Sequence, residues 1–298
     1  MNQLADNSVQ CVVTSPPYWG LRKYAGEQEI TEWDCAFGLE PTPEMYVQHS
    51  IEILREIRRV LRKDGVVFWN IGDSYASSPP GNKKELYRWQ HQHRPEKDMN
   101  ESLVRRSTIT DGLKPKDLCL IPFRLAIAAQ EDGWWVRSVI IWAKPNPMPE
   151  SVTDRPTESH EYILMLTKSA KYYWDQEAVR ESAQAWGTRD RSNYRMGTDD
   201  PLLKQHGMEN INFAELGRNL RSVWEFPTGP YPGAHFAVFP EKLPELCIKA
   251  ATPEVGCCSK CGAPWERVLD KKPSQFSIRV RDAKAGRATP EEGYKATQ

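Results

Sequence analysis

The sequence predicts an α/β fold in which a mostly parallel sheet carries helices on its faces. A short apolar run at residues 10–13 stops abruptly at a polar and proline-rich loop. A second apolar run at residues 66–71 follows an amphipathic segment, and strand, helix and strand at this spacing form a right-handed parallel crossover. Helical and strand patterns continue to alternate after it, which is typical of α/β sheets.

The first predicted strand leads directly into the candidate active-site loop. Gln10 to Val13 suit a short strand that is covered on both faces, and Pro16 then ends ladder pairing because it has no N–H to donate. The loop therefore lies at the carboxyl end of the strand, where open α/β sheets place their ligands. Two consecutive prolines fix the backbone and leave the carbonyls of Ser15 and Pro16 able to accept hydrogen bonds.

These residue types suit the chemistry of an aromatic amine. Acceptors that draw on the hydrogens of an NH₂ group push its lone pair towards the nitrogen and stabilise the charge that develops on attack. Tyr18 offers a flat face on which a base could stack. We predict Ser15, Pro16, Pro17 and Tyr18 as the catalytic residues. An isolated Ser-Pro-Pro is more often a plain turn, but the strand before it and the aromatic residues after it favour the functional interpretation.

The apolar spacing predicts the next elements of the sheet in order. A helix spans residues 44–61, with Thr42 as its N-cap and Asp64-Gly65 as its exit turn. A buried strand at 66–71 then ends in a loop that contains Asp73, which either caps that loop or lies in the substrate cleft. Further along the chain we expect a helix at 118–130 and strands at 134–142 and 160–167.

Composition and charge limit the classes of function. Lys and Arg number 40 against 40 Asp and Glu in the 298 residues, so there is no overall positive field, which weakens a role in coating DNA non-specifically. The seven cysteines form an odd number, and we find neither a signal peptide nor an apolar run near eighteen residues. These features predict a cytoplasmic protein that does not span a membrane.

Residues 14–18 carry a family resemblance. They resemble the Ser/Asp/Asn-Pro-Pro-Tyr/Phe motif of the S-adenosylmethionine-dependent DNA amino-methyltransferases, in the permuted order that places the catalytic loop first. The wider run is similar to the bacterial and phage branch of that family through Trp19, Gly20, Leu21, Arg22 and Tyr24. Further matches are the Asn-x-Gly-Asp-Ser-Tyr run from Asn70, the proline run 144–149, and residues 154–157 with His160-Glu161.

The resemblance implies a Rossmann-like methyltransferase sheet with an inserted recognition segment. It also implies methyl transfer from S-adenosylmethionine to cytosine N4 in double-stranded DNA, after the base is flipped out of the helix. A serine in the first motif position is more typical of the cytosine enzymes. Adenine N6 stays an alternative, because the same acceptors serve any exocyclic amine.

The resemblance extends to cofactor and DNA contacts. Cofactor contacts are predicted at Thr14, His235, Phe236, Phe239 and Pro240, with Pro240 at position N1 of a helix that runs through Ala250. Between Ser77 and Arg124, ten basic residues stand against six acidic ones with aromatics between them, so this segment is either a DNA-contacting loop or a mobile solvated one. The predicted DNA-binding residues are Arg105, Arg106, Lys114 and Asn146.

The predicted organisation has four parts. Residues 1–175 form the catalytic core with a basic loop at 77–116, and residues 176–221 form a target-recognition segment or an irregular insert. A cofactor-side helix returns to the core within 222–253. The last part, 254–298, holds a half zinc-knuckle and a poorly ordered tail.

The chain also departs from the family's pattern. Cys257, Cys258 and Cys261 look like half of a zinc site, but no cysteine or histidine follows them, so bound zinc is not expected. The family's glycine-rich strand-turn does not occur after this knuckle. We therefore expect a truncated chain whose first strand exposes an edge. Its partner would be the missing C-terminal portion of the same enzyme or a restriction endonuclease. An inactive DNA-binding remnant is the rival function.

Overall fold

The computed structural model describes residues 3–20, 33, 35–77, 112–181, 218–229 and 238–268. The chain divides into two compact units, one comprising 1–178 with 221–265 and the other 179–220 with 266–298. In the second unit, the backbones of Glu181 and Arg218 exchange two hydrogen bonds of 2.9 and 3.0 Å. The sheet, the helices and the site described below all belong to the first unit.

The first unit is built on a five-stranded mixed sheet with the order β1-β2-β4-β3-β5. β1 pairs parallel to β2 and β3 pairs parallel to β5, whereas β4 runs antiparallel to both β2 and β3. The predicted parallel pairing of the first two strands is therefore confirmed. The strands are β1 (Val9–Thr14), β2 (Leu61–Ile71), β3 (Trp135–Ala143), β4 (His160–Thr167) and β5 (Val223–Glu225).

Within the described ranges, three α-helices pack against the sheet. They are α1 (Pro43–Val60), α2 (Ile121–Glu131) and α3 (Lys242–Ala251). Thr42 is the N-cap of α1, as predicted, because its hydroxyl accepts a hydrogen bond of 3.2 Å from the Met45 N–H. α1 and α2 pack against each other, and α3 packs against β1 and β2. None of the helices in the described ranges is long and apolar enough to cross a bilayer.

The core lies between the helices and the central strands. The apolar run of β2 is entirely buried from Val66 to Trp69, and Leu164 and Leu166 of β4 are buried beside it. Burying each such side chain contributes about 1.5–3 kcal/mol relative to leaving it in water. Burial also raises the pKa of the Cys11 thiol to about 12, which keeps it protonated and unreactive.

Several local expectations were wrong. β2 begins at Leu61, so Asp64-Gly65 lies inside the strand and is not an exit turn. A Cβ on Gly65 would come within 2.9 Å of the Gln10 carbonyl oxygen, so the two parallel strands approach too closely here for a side chain. Pro240 is not at N1, because α3 begins at Lys242 with Glu241 as its N-cap, and the Pro240 carbonyl accepts from the Leu243 N–H at 3.0 Å.

β1 is half-buried along its whole length, not covered on both faces as expected. Among the described strands it pairs only with β2, so it stands at one edge of the sheet. This position agrees with the expectation of an edge strand. The short β5 was not predicted, because three residues carry too little pattern to identify a strand.

Candidate active site

Four chain segments meet at one edge of the sheet. The ends of β1, β2 and β3 lie there because these three strands run in the same direction. The start of β4 lies beside them because β4 runs in the opposite direction. Ile71 is aligned with Tyr162, and Ala143 with His160. The loop after β1, the last residues of β2, the residue after β3 and the first residues of β4 are therefore neighbours.

A network of side-chain hydrogen bonds connects these segments. The Tyr18 hydroxyl donates to Glu161 Oε2 at 2.6 Å and lies 3.1 Å from Ser15 Oγ. Asn70 Nδ2 lies 2.8 Å from both the Tyr18 hydroxyl and Glu161 Oε2. Lys144 Nζ pairs with the other carboxylate oxygen, Glu161 Oε1. Ser15 and Tyr18 of the proline motif are thus linked to a carboxylate 143 positions further along the chain than Tyr18.

The network determines the protonation of Tyr18. Burial raises the pKa of its hydroxyl well above the usual value, and the charge and hydrogen bond of Glu161 raise it further. Tyr18 therefore stays protonated and donates towards Glu161 throughout the ordinary pH range. Its ring lies against Gly72, where a Cβ would come within 2.9 Å of the ring carbons Cδ2 and Cε2. A side chain at position 72 would displace the tyrosine.

Packing and backbone contacts hold the other half of the motif. The Tyr46 hydroxyl of α1 donates to the Pro17 carbonyl at 3.0 Å, and the Trp19 indole N–H donates to the Glu40 carbonyl at 2.9 Å. Gly38, at φ +87°, lies so close that a Cβ there would be 2.9 Å from Pro17 Cβ. In the described part of the chain, none of the hydrogen bonds uses the Pro16 carbonyl.

A buried polar pair, Glu40 and His49, packs beneath the surface that contacts the proline motif. Glu40 accepts hydrogen bonds from the Gly38 N–H at 2.8 Å and from His49 Nδ1 at 3.1 Å. Trp33 stacks on the His49 ring with the centroids 3.9 Å apart. Cys35 Sγ lies within 4.8 Å of the Glu40 and His49 ligand atoms. These contacts join the segment before α1 to α1 itself and thereby fix the surface on which Pro17 and Trp19 rest.

Asp73, for which the sequence left two roles open, is a helix cap. Its Oδ1 accepts from the Ser74 N–H at 2.8 Å and from the Ile121 N–H at 3.1 Å, the first residue of α2. Leu120, the residue before that helix, is left-handed at φ 58° and offers no side-chain cap of its own. Burial raises the pKa of the Asp73 carboxyl, while the backbone hydrogen bonds partly offset this. Asp73 Oδ2 is buried and has no partner among the described residues.

The other predicted site residues are spread over the unit. Thr14 lies at the end of β1, and Phe239 and Pro240 are half-buried just before α3. Lys114 is 80% exposed and pairs with Asp117 at 3.1 Å. The Asn146 amide is engaged with Thr228, donating to its hydroxyl at 3.3 Å and accepting from its N–H at 3.1 Å. Outside the described residues lie Arg105, Arg106, His235 and Phe236.

The three cysteines of the predicted half-knuckle lie in a tight turn. The Gly262 N–H donates to the Cys258 carbonyl at 2.8 Å, and the Cys258 N–H donates to the Ala263 carbonyl at 2.8 Å. Backbone N–H groups of Cys261 and Lys260 lower the pKa of the Cys258 thiol. In the ranges that the structure describes, these cysteines are not part of a group of three metal-ligating side chains within 4.8 Å of one another.

Sequence reasoning missed Asn70, Lys144 and Glu161 as members of the site. One signal was present, since Asn70 is a lone amide in the apolar run of β2 and is only 1% exposed. A polar side chain in such a strand requires hydrogen-bond partners. Those partners come from β4 and from the loop after β1, and only the folded sheet brings them together.

A family model described as DNA methylase, labelled for N6 and N4 methyltransferases, matches residues 9–259. The chain belongs to the DNA methylase family. This membership confirms the resemblance drawn from residues 14–18, and it confirms the predicted Rossmann-like methyltransferase fold class.

Individual relatives of this DNA methylase are Type II methyltransferases. It is 44% identical to M.Cfr9I of Citrobacter freundii and 43% identical to M.XycI of Xanthomonas campestris pv. cyanopsidis, each over 252 residues. In both cases the match covers 85% of this chain and 69% of the relative. A solved structure, the PvuII DNA methyltransferase (cytosine-N4-specific), matches with a TM-score of 0.47 at 13% identity, over 85% of this chain and 67% of that one.

The described residues offer this DNA methylase only part of a cofactor site. Thr14, Phe239 and Pro240 supply a hydroxyl and apolar surface, and α3, which follows Pro240, packs against β1. A glycine-rich cradle is not formed by these segments: Gly72 follows β2, but the Tyr18 ring takes the space beside it. The described residues therefore include three of the five predicted cofactor contacts, and His235 and Phe236 lie outside them.

Proposed function

We propose that this chain is the catalytic part of a site-specific DNA methyltransferase that methylates N4 of cytosine in duplex DNA. The methyl donor is S-adenosylmethionine, as family membership implies. The cytosine would be flipped out of the helix to reach the edge of the sheet where β1 and β2 end. Ser15 Oγ and the Pro16 carbonyl would accept the amine hydrogens, and the Tyr18 ring would stack on the base.

The observation that supports this proposal most is that Ser15 Oγ, a hydrogen-bond acceptor of the proline motif, lies 3.1 Å from the hydroxyl of a tyrosine that the network fixes. The Tyr46 hydroxyl donates a hydrogen bond to the Pro17 carbonyl, so the acceptors proposed for the amine are Ser15 Oγ and the Pro16 carbonyl. Two acceptors on one NH₂ group draw on both of its hydrogens and make the nitrogen a better nucleophile. Lys114 is exposed and would contact phosphate, while Arg105 and Arg106 are proposed to do the same from the basic loop.

A methyl-transfer assay with labelled S-adenosylmethionine tests the proposal. Duplex DNA is incubated with the protein, digested to nucleosides and separated. We expect label in N4-methylcytosine, and label only in N6-methyladenine would replace the cytosine assignment by an adenine one. Absence of label in any nucleoside, with DNA still bound, would favour the inactive DNA-binding remnant.

Ser15→Ala tests the role of the motif within that assay. Removing one preorganised hydrogen-bonding group from a catalytic site lowers the rate by about 100-fold to 1,000-fold. Ser8→Ala is the matched control, because Ser8 precedes β1 as Ser15 follows it, and its hydroxyl is exposed and bonds only the Ala5 carbonyl. Equal rates for the two variants would contradict the proposed role of Ser15.

A further inference from the structure

We propose that Ser15, Tyr18 and Glu161 form a proton relay that removes the proton released by the target amine, with Glu161 as its final acceptor. This inference rests on the proposed function, and it adds a carboxylate that the proline motif does not contain. Its basis is the continuous line of contacts from Ser15 Oγ to the Tyr18 hydroxyl at 3.1 Å and on to Glu161 Oε2 at 2.6 Å.

The contacts set the direction of each hydrogen bond. An ionised carboxylate can only accept, so Tyr18, which has a single proton, gives it to Glu161. At the contact between the two hydroxyls, Ser15 must then be the donor. Asn70 turns Nδ2 towards both Glu161 and Tyr18, which is the only amide orientation that suits the carboxylate. Asn70 Nδ2 also lies 3.5 Å from Ser15 Oγ, so one lone pair of this oxygen is left to accept a hydrogen bond from a substrate amine.

Methylation of an exocyclic amine leaves a proton that must depart. As the new bond from nitrogen to the methyl carbon forms, the bond from that carbon to the donor sulfur breaks and its electrons stay on sulfur. The amine N–H bond then breaks, its electrons stay on nitrogen, and the proton moves to Ser15 Oγ. The Ser15 proton passes to Tyr18, and the Tyr18 proton passes to Glu161, which becomes neutral. Both hydroxyls end as they began.

The position of Glu161 suits the end of such a relay. Lys144 pairs with Oε1, so Oε2 is left to the Tyr18 and Asn70 donors. The side chains of Lys144 and Glu161 are 19% and 16% exposed, which gives the proton a way to solvent. Asp73 lies after β2 at the same edge, but its bound oxygen faces the backbone of α2, and none of its described hydrogen bonds reaches Ser15.

Single-turnover methylation of duplex DNA by Glu161→Gln and Tyr18→Phe tests the relay. General acid–base groups contribute roughly 100-fold to 10,000-fold, so we expect each variant to be at least about 100-fold slower. Because both act in one chain, the double variant should be no slower than the worse single variant. Glu158→Gln is the matched control, since Glu158 lies just before β4 and pairs with His160, outside the network. Its rate should stay within about twofold of wild type.

A structural role and a relay role differ in two further readouts. At a fixed pH, the wild-type rate should not change with buffer concentration because Glu161 takes the proton, in contrast to the rate of Glu161→Gln. The rate of that variant should rise with the concentration of a small buffer base, which takes the proton instead. Thermal unfolding and DNA affinity, measured on the same samples, should remain near wild type. If Glu161→Gln does not fold, Tyr18→Phe, which removes only a hydroxyl, tests the same relay.

Failure of the relay is distinguishable from failure of the proposed function. A wild-type protein that labels no DNA base contradicts the function itself. An active wild type whose Tyr18→Phe and Glu161→Gln variants match Glu158→Gln in rate and in buffer dependence leaves the function intact and overturns the relay.

Discussion

Two carboxylates, Asp73 and Glu161, lie at the same edge of the sheet, and their hydrogen-bond partners differ in kind. Asp73 follows β2 and bonds backbone N–H groups at the start of α2. Glu161 lies at the start of β4 and bonds three side chains, each of which belongs to another strand or to the loop after it. Asp73 is the one that the sequence suggested for the cleft, since it directly follows a buried strand. Its partners instead make it part of the scaffold.

The difference teaches that position at a ligand-binding edge does not assign a role by itself. A carboxylate that accepts hydrogen bonds from the free N–H groups at the N-terminus of a helix stabilises that helix whether or not a ligand is present. A carboxylate that accepts from a motif hydroxyl can change its protonation during a reaction. The following predictions separate the two carboxylates by what each variant changes.

The largest expected difference is in rate. Asp73→Asn keeps an oxygen that can cap α2, so we expect its single-turnover rate to stay within about threefold of wild type, while Glu161→Gln loses about 100-fold or more. Rapid-quench methylation of one duplex by both variants measures this. If Asp73→Asn lowered the rate as much as Glu161→Gln does, Asp73 would also take part in catalysis, and the proposed difference between the two carboxylates would be wrong.

The second difference is in stability. Asp73→Ala removes the cap and should lower the free energy of unfolding by about 1–2 kcal/mol, which is typical of a lost helix cap. Urea unfolding monitored by circular dichroism measures this, with Asp73→Asn as the control that retains an acceptor. An alanine variant as stable as wild type would show that α2 does not depend on Asp73.

A smaller effect is expected where α1 supports the proline motif. Tyr46→Phe removes the hydrogen bond to the Pro17 carbonyl and should cost about 1 kcal/mol of unfolding free energy, because an intramolecular hydrogen bond contributes roughly that much. The freed carbonyl could compete for the amine, so we also expect a modest fall in rate. Stability and rate both equal to wild type would mean that packing against Gly38 suffices to hold the loop.

The smallest effect concerns pH. Because burial raises the pKa of Asp73 above its usual 3.8, the unfolded chain releases this proton at lower pH than the folded chain does. Wild type should therefore lose stability relative to Asp73→Asn as the pH rises from about that value through the raised pKa, and the difference should be constant above it. Unfolding of both proteins across acidic pH measures this, and an opposite slope would contradict the assigned effect of burial.

Elements with long periodic patterns were predictable from the sequence, and contacts between distant segments were not. The predicted strand 160–167 has the observed bounds of β4, and Thr42 caps α1 as expected, because both depend on neighbouring residues. The link from Tyr18 to Glu161 spans 143 positions and depends on strand order. Likewise, the turn expected at Asp64-Gly65 lies within β2, at the register shift between the Val9–Leu61 and Cys11–Val66 pairs, and the local pattern did not indicate this.

The direction of β4 has a consequence for how this edge is assembled. A strand of eight residues is roughly 26 Å long, so a β4 that ran parallel to β2 would begin at the far end of the sheet, and Glu161 would be out of reach of the loop after β1. The antiparallel return from β3 thus brings the start of β4 to the edge of the sheet where β1, β2 and β3 end. Insertions in the excursion between β3 and β4 could reshape what surrounds the base without moving Lys144 or Glu161, since each is anchored to its own strand.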